Sequence, residues 1–101
     1  MNQEEIDLLN DLLGIMIKPL AERHVKRDTV NIFTIDTVET LKPGMYETAI
    51  WLSGNMLDMS VVDTYGSRED AESGHKKWVD ACSEDPNGVL NYIRLQKRNF
   101  R

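Results

Sequence analysis

The sequence predicts an α+β domain: an N-terminal helix, an antiparallel β-meander of three or four strands, and one amphipathic helix packed on the sheet. Three observations carry that reading. Apolar residues recur at helical spacing at the start of the chain and again after residue 67. Runs rich in β-branched and aromatic residues fill the middle. The links between those runs are too short for the crossovers a parallel sheet needs.

The elements follow in order. In NQEEIDLLNDLL, Ile6, Leu9, Leu12 and Leu13 share a helical stripe, with Asn2 as N-cap and acids in the first turn. The apolar signal runs on through Ile15, Met16, Ile17 and Leu20, but Pro19 forces a break near Lys18. The helical segment is therefore placed at 1–24. Residues 22–28 read as a polar connector. Thr29 to Val38, TVNIFTIDTV, reads as a strand covered at least partly on both sides, because both parities carry apolar groups. Lys42-Pro43-Gly44 marks a turn. In the second strand, residues 45–52, Tyr46, Thr48, Ile50 and Leu52 form one face and Glu47, Ala49 and Trp51 the other. Ser53-Gly54-Asn55 connects to a third strand from Leu57 to Tyr65. The meander is thus placed at 29–65.

Ser67 and Asp70 then resemble a capping box that opens a helix over 67–83. Ala71, Gly74, His75, Trp78, Val79 and Cys82 form its apolar stripe, and Glu72 with Lys76 is an i,i+4 pair of the favourable order. Gly74 costs roughly 1 kcal/mol of helix propensity, so it is read as a close approach to the sheet, against Trp51 or Tyr65. Asp85-Pro86-Asn87-Gly88 stops the helix. The tail 86–101 reads as a last strand or a short helix, with the strand preferred.

Composition bounds the function. The 101 residues carry 12 basic and 17 acidic side chains, a net charge of −5, enough for a single domain with one core. Residues 1–85 hold seventeen acids against eight bases, a net of −9; residues 86–101 hold Arg94, Lys97, Arg98 and Arg101 and no acid, a net of +4. An acidic body repels phosphate backbones and favours basic partners, so nucleic acid is not the expected ligand. A nucleic-acid role would rest on the basic tail alone, with Tyr92 stacking. No run of about 18 apolar residues predicts a membrane span. The start MNQEEIDLL is acidic where a secretory signal would be basic. The single Cys82 excludes an intrachain disulfide and fits a reducing compartment.

Chemistry-bearing motifs are sparse. His24 and His75 lack any HExxH, CxxC or HxH context, so neither a metal nor a cofactor is expected. His75 and Cys82 lie about 10 Å apart by helical rise, too far to share one zinc ion. His75 is read as a half-buried ring beside Trp78, bonded to a strand carbonyl or a carboxylate. Cys82 sits near a helix C-terminus, where the dipole opposes a thiolate, and reads as a core residue. No catalytic residue is assigned and no enzyme activity is expected. The partner-binding candidates are Glu47, Asp58 and Asp63, for their charge, and Trp51, which the face assignment places on the open side of the sheet.

YETAIW followed by VVDTYGSREDAESGHKKWV resembles a family of small tailed-bacteriophage proteins. The shared pattern is a YET strand, here Tyr46, Glu47 and Thr48. It continues with a strand ending in Tyr65 and a helix of the form S-x-E-x-A-x-x-G-H-x-x-W, here Ser67, Glu69, Ala71, Gly74, His75 and Trp78. The resemblance implies a phage or prophage origin, and no activity comes with it; the leading expectation places the protein in the bacterial host cytoplasm. With the acidic body, it leads to the expectation of a non-enzymatic protein that docks on a basic surface of a host protein and inhibits a defence or nucleic-acid-processing factor. The alternative is a homo-oligomeric virion or assembly accessory protein that uses the N-terminal helix, for instance as a homodimer.

Overall fold

Strands β1 (His24–Val30), β2 (Phe33–Glu39), β3 (Tyr46–Leu52) and β4 (Ser60–Tyr65) make one antiparallel sheet in the order β1-β2-β3-β4, and helices α1 (Arg68–Glu84) and α2 (Pro86–Asn99) pack against it. The computed structural model describes residues 2–5 and 23–99, with side chains as far as Gln96. The architecture is α+β, as the sequence predicts. Of the N-terminal helix, the described part is one turn at residues 3–5, where Asn2 Oδ1 accepts from the Glu5 amide at 2.9 Å. Of the rest of that predicted segment, residues 6–22 lie outside the described residues, and His24 opens strand β1.

Two corrections concern the first hairpin. The segment read as a polar connector is mostly strand β1. The run read as one strand from Thr29 to Val38 is the end of β1, a two-residue turn at Asn31-Ile32, and β2. Asn31 makes the turn at φ 54°, a conformation that Asn tolerates better than most residues. Its side-chain amide also donates to the Cys82 carbonyl at 2.8 Å, tying the turn to α1. The third predicted strand starts later than expected. Residues Met56–Asp58 form a single 3-10 turn, and β4 opens at Ser60.

Helix α1 begins where the capping signal places it: Ser67 Oγ accepts from the Asp70 amide at 3.1 Å. Its surface pairs are Arg68 with Glu72 and Lys76 with Asp80, not Glu72 with Lys76. The tail, read preferentially as a strand, is helix α2. Asp85 both ends α1 and caps α2, since its Oδ1 accepts from the Gly88 amide at 3.1 Å. Pro86 occupies the first helical position, where its missing N–H costs nothing. A side chain at position 88 would displace the Asp85 carboxylate from its capping position.

The core lies between sheet and helices. Phe33 and Ile35 of β2, Ile50 of β3 and Val62 of β4 meet Trp78 and Cys82 of α1 and Val89 and Ile93 of α2. Each large side chain removed from water here contributes roughly 1.5–3 kcal/mol. Trp78 stacks at a tilt on Tyr92, ring centroids 5.6 Å apart. The other face of the sheet is also covered at its centre: Thr34, Asp36, Ala49 and Trp51 are all buried. The expectation that β2 is covered on both sides therefore holds.

Candidate functional site

A chain of hydrogen bonds crosses all four strands beneath α1. His75, only 2% exposed, sits at its centre. Its Nε2 lies 2.7 Å from Asp28 Oδ2 on β1, and its Nδ1 lies 2.7 Å from Thr37 Oγ1 on β2. Thr37 Oγ1 is 2.6 Å from Thr48 Oγ1 on β3, which is 3.1 Å from the Tyr65 hydroxyl at the end of β4. Register explains the assembly. Thr37 and Thr48 are direct cross-strand partners, and Asp63, next but one to Tyr65, pairs with Thr48. One arrangement satisfies every group. Tyr65 donates to Thr48, Thr48 to Thr37, Thr37 to Nδ1, and Nε2–H to the Asp28 carboxylate. Burial lifts the Tyr65 phenol above its ordinary range, and the nearby Asp63 charge acts in the same direction.

Gly74 lets this chain close. A methyl group at position 74 would overlap the phenol end of Tyr65 (Cε1, Cζ and OH). Of the two contacts expected for Gly74, Tyr65 is the one the structure makes. The expectation for His75 also holds in its carboxylate form, with the ring fully rather than half buried. Asp28 and Thr37 were not legible as site residues, because Asp28 lies in a stretch with no apolar alternation and Thr37 is one of four threonines between 29 and 40.

The Asp28–His75–Thr37 geometry has the order of an orienting acid, a base and a hydroxyl. Its chemistry is different. Thr37 and Thr48 are fully buried, and both ring nitrogens of His75 are occupied. A nucleophile must present its oxygen to a substrate, and Thr37 presents it to Thr48 and His75. The arrangement clamps α1 to the sheet and fixes the His75 ring. Beside it opens a cavity of about 460 Å³ between β1 and α1, with Val25 and Val79 as apolar walls and Asp28 and His75 at one side.

A second cluster occupies the opposite face. His24 Nδ1 lies 3.0 Å from Asp36 Oδ1, and Arg27 donates to Asp36 Oδ2 at 3.0 Å. The Asp36 hydrogen bond holds the Arg27 pKa above its ordinary value. The Arg27 guanidinium also lies over the Trp51 ring, 5.4 Å from its centroid. Trp51 is 6% exposed, which corrects the expectation that it stands open on the sheet surface. It lines a smaller cavity of about 180 Å³ with Leu52, Asp58, Leu90, Ile93 and Arg94.

The remaining sequence candidates are scattered. Glu47 pairs with Val38 and Thr64 on the face away from α1. Asp63 faces α1, where it accepts from the Trp78 indole at 3.4 Å and lies 3.5 Å from Lys77 Nζ. Asp58 belongs to the 3-10 turn beyond the far end of β3, with roughly 17 Å of strand between Glu47 and Leu52. What sequence reading missed is the exposed apolar run beside Asp58: Leu52, Met56, Leu57, Met59 and Val61 all face solvent, Leu57 completely. Its sequence signal is the apolar MLDM just after the glycine turn.

Cys82 is fully buried, and its thiol is pushed up to about 11 by that burial. Among the described residues, no three His, Cys, Asp or Glu side chains are grouped to hold a metal ion. No helix among them is long and apolar enough to cross a membrane. No protein-family model, curated protein or solved structure matches the chain.

Proposed function

We propose that the chain is a non-enzymatic, phage-encoded interaction protein that docks on a basic surface of a host protein. The observation that carries this reading is the apolar run from Leu52 to Val61, which exposes two methionines, a fully exposed leucine and Asp58 on a chain of net charge −5. Solvent-facing apolar runs mark contact surfaces, and methionine suits them because its side chain adapts to a partner. The acidity supplies long-range attraction to a basic partner. Surfaces of that kind belong to proteins that handle nucleic acid, which is why inhibition of a defence or nucleic-acid-processing factor is the specific form of the proposal. The internal engagement of His75 and Thr37 supports it as well, since the polar residues most like catalytic ones serve the fold.

The contact surface therefore centres on Asp58 and its apolar neighbours instead of Trp51. Affinity capture from infected host cells, with the intact protein and with Leu57→Asp, tests this. The expected result is a captured protein that is lost with Leu57→Asp at unchanged thermal midpoint and that dissociates as salt rises. Capture indifferent to both the substitution and salt overturns the reading.

A further inference from the structure

We propose that Met56 and Met59 form a paired oxidation site, whose conversion to sulfoxides by a peroxide switches the exposed run Leu52 to Val61 from apolar to polar. This deepens the reading of that run as a contact surface and rests on it. The chain has five methionines, and two of them stand three residues apart here. The Met59 amide donates to the Met56 carbonyl at 3.3 Å, closing a single 3-10 turn with Leu57 and Asp58 between them. Three residues of such a turn rise about 6 Å, so the two methionines are neighbours. Both are open to solvent: Met56 is 53% exposed and Met59 48%, on either side of the fully exposed Leu57.

A thioether needs only access to react. Its sulfur attacks one oxygen of hydrogen peroxide; an S–O bond forms and the O–O bond breaks. The departing hydroxide takes the proton from the transferred oxygen and leaves as water. Sulfur gives up two electrons and the peroxide gains them. The product is a polar, chiral side chain in place of a flexible apolar one.

The fold does not depend on either methionine. No residue of the Met56–Asp58 turn is buried, and the core is built from other side chains. Oxidation therefore changes the surface and leaves sheet and helices in place. Competing targets are sheltered: Cys82 is fully buried, and the indoles of Trp51 and Trp78 belong to residues only 6% and 9% exposed. Met45 is 36% exposed and lies at the opposite end of β3. Within the run, Leu52, Leu57 and Val61 are inert to peroxide. Two of its five exposed apolar side chains change character together, at its centre.

The test treats the full chain with hydrogen peroxide, maps the products by peptide mass spectrometry and follows elution from a phenyl-substituted hydrophobic-interaction column. The expected result is one added oxygen on each of Met56 and Met59, an unchanged thermal midpoint and earlier elution. Met56→Leu with Met59→Leu removes both sulfurs and keeps both positions apolar, so peroxide should leave its elution where it was. Met45→Leu should respond as the parent does. Methionine sulfoxide reductases, one for each sulfoxide epimer, should restore the parent's elution. In capture from infected host cells, oxidation should lower the yield about tenfold. Sulfurs that stay unoxidised in the folded chain, elution indifferent to their oxidation, an equal response from the double leucine variant, or capture that survives oxidation of both residues overturns the proposal. The two readings fail separately. A parent chain that captures nothing through Leu57 ends the docking function, while the column still decides whether the methionine pair controls the surface.

Discussion

Gly74→Ala should destabilise the protein even though alanine is the better helix former. In an exposed helix the exchange gains about 1 kcal/mol. Here the new methyl overlaps the phenol end of Tyr65, and that ring is not free to swing away. Its hydroxyl bonds Thr48 at 3.1 Å, within a chain whose next members are fully buried. Displacing the ring forfeits that hydrogen bond, about 1 kcal/mol, and overpacking adds about 1–3 kcal/mol. The sum against the propensity gain is a net loss of about 1–3 kcal/mol. Urea unfolding followed by the fluorescence of Trp51 and Trp78 measures it, and at this chain length each 1 kcal/mol moves the thermal midpoint by about 4–8 °C. The decisive comparison is a double-mutant cycle with Tyr65→Ala. With the ring gone, Gly74→Ala should become stabilising by about 1 kcal/mol, a reversal of sign and a coupling of about 2–4 kcal/mol. If Gly74→Ala stabilises the parent, or acts equally in both backgrounds, the close approach of α1 to Tyr65 is wrong.

Three further outcomes follow from the same geometry. His75→Ala leaves Thr37 and Asp28 without their shared partner and should cost about 3 kcal/mol in urea unfolding, whereas an ordinary surface histidine would cost almost nothing. Asp85→Ala removes the α2 cap and should cost about 1 kcal/mol, with Asp85→Asn recovering most of it. Burial raises the Cys82 pKa from 9.0 to about 11. The folded form thus favours the protonated thiol; its stabilising effect is complete below pH 9 and is lost as pH rises towards 11. Comparing the parent with Cys82→Val across that window isolates the effect, and a thiol reagent at pH 8 should label Cys82 only as fast as the protein unfolds.

The layout of α1 was legible because three independent signals agree there. Ser67 caps, the apolar stripe recurs at three and four, and Asp85-Pro86 ends the element. The first hairpin was obscured by its own chemistry. Asn31 turns the chain with no glycine beside it, and it is flanked by Val30 and Ile32, so the turn reads as part of a β-branched run. β1 itself carries His24, Lys26, Arg27 and Asp28, and no period-2 pattern survives because ion pairs on both faces replace apolar ones. The tail misled in the opposite way. Val89, Asn91, Ile93 and Leu95 alternate like a strand, but Val89 and Ile93 are also one helical turn apart, and these two are the ones buried. Asp85-Pro86 contained the deciding signal, since the pair that stops one helix is also the standard opening of another.

The site was legible only in its letters. Thr48, Tyr65, Gly74, His75 and Trp78 stand out in the sequence, and the structure gives most of them a mechanical duty. Thr48 and Tyr65 extend the hydrogen-bond chain, Gly74 admits the Tyr65 ring, His75 joins two strands, and Trp78 closes the core. Ser67 and Ala71 belong to the same account, one as a cap and the other fully buried. A string can therefore be highly specified without any of its residues meeting a substrate. Residues that hold a fold are constrained by their neighbours inside the molecule; residues that meet a partner are constrained by something outside it, which one sequence does not display. The segment from Leu52 to Val61 is proposed to be of the second kind. It exposes apolar area that the described core does not use. Substitutions there should leave the unfolding free energy within about 0.5 kcal/mol of the parent while abolishing binding, the converse of what the clamp residues do.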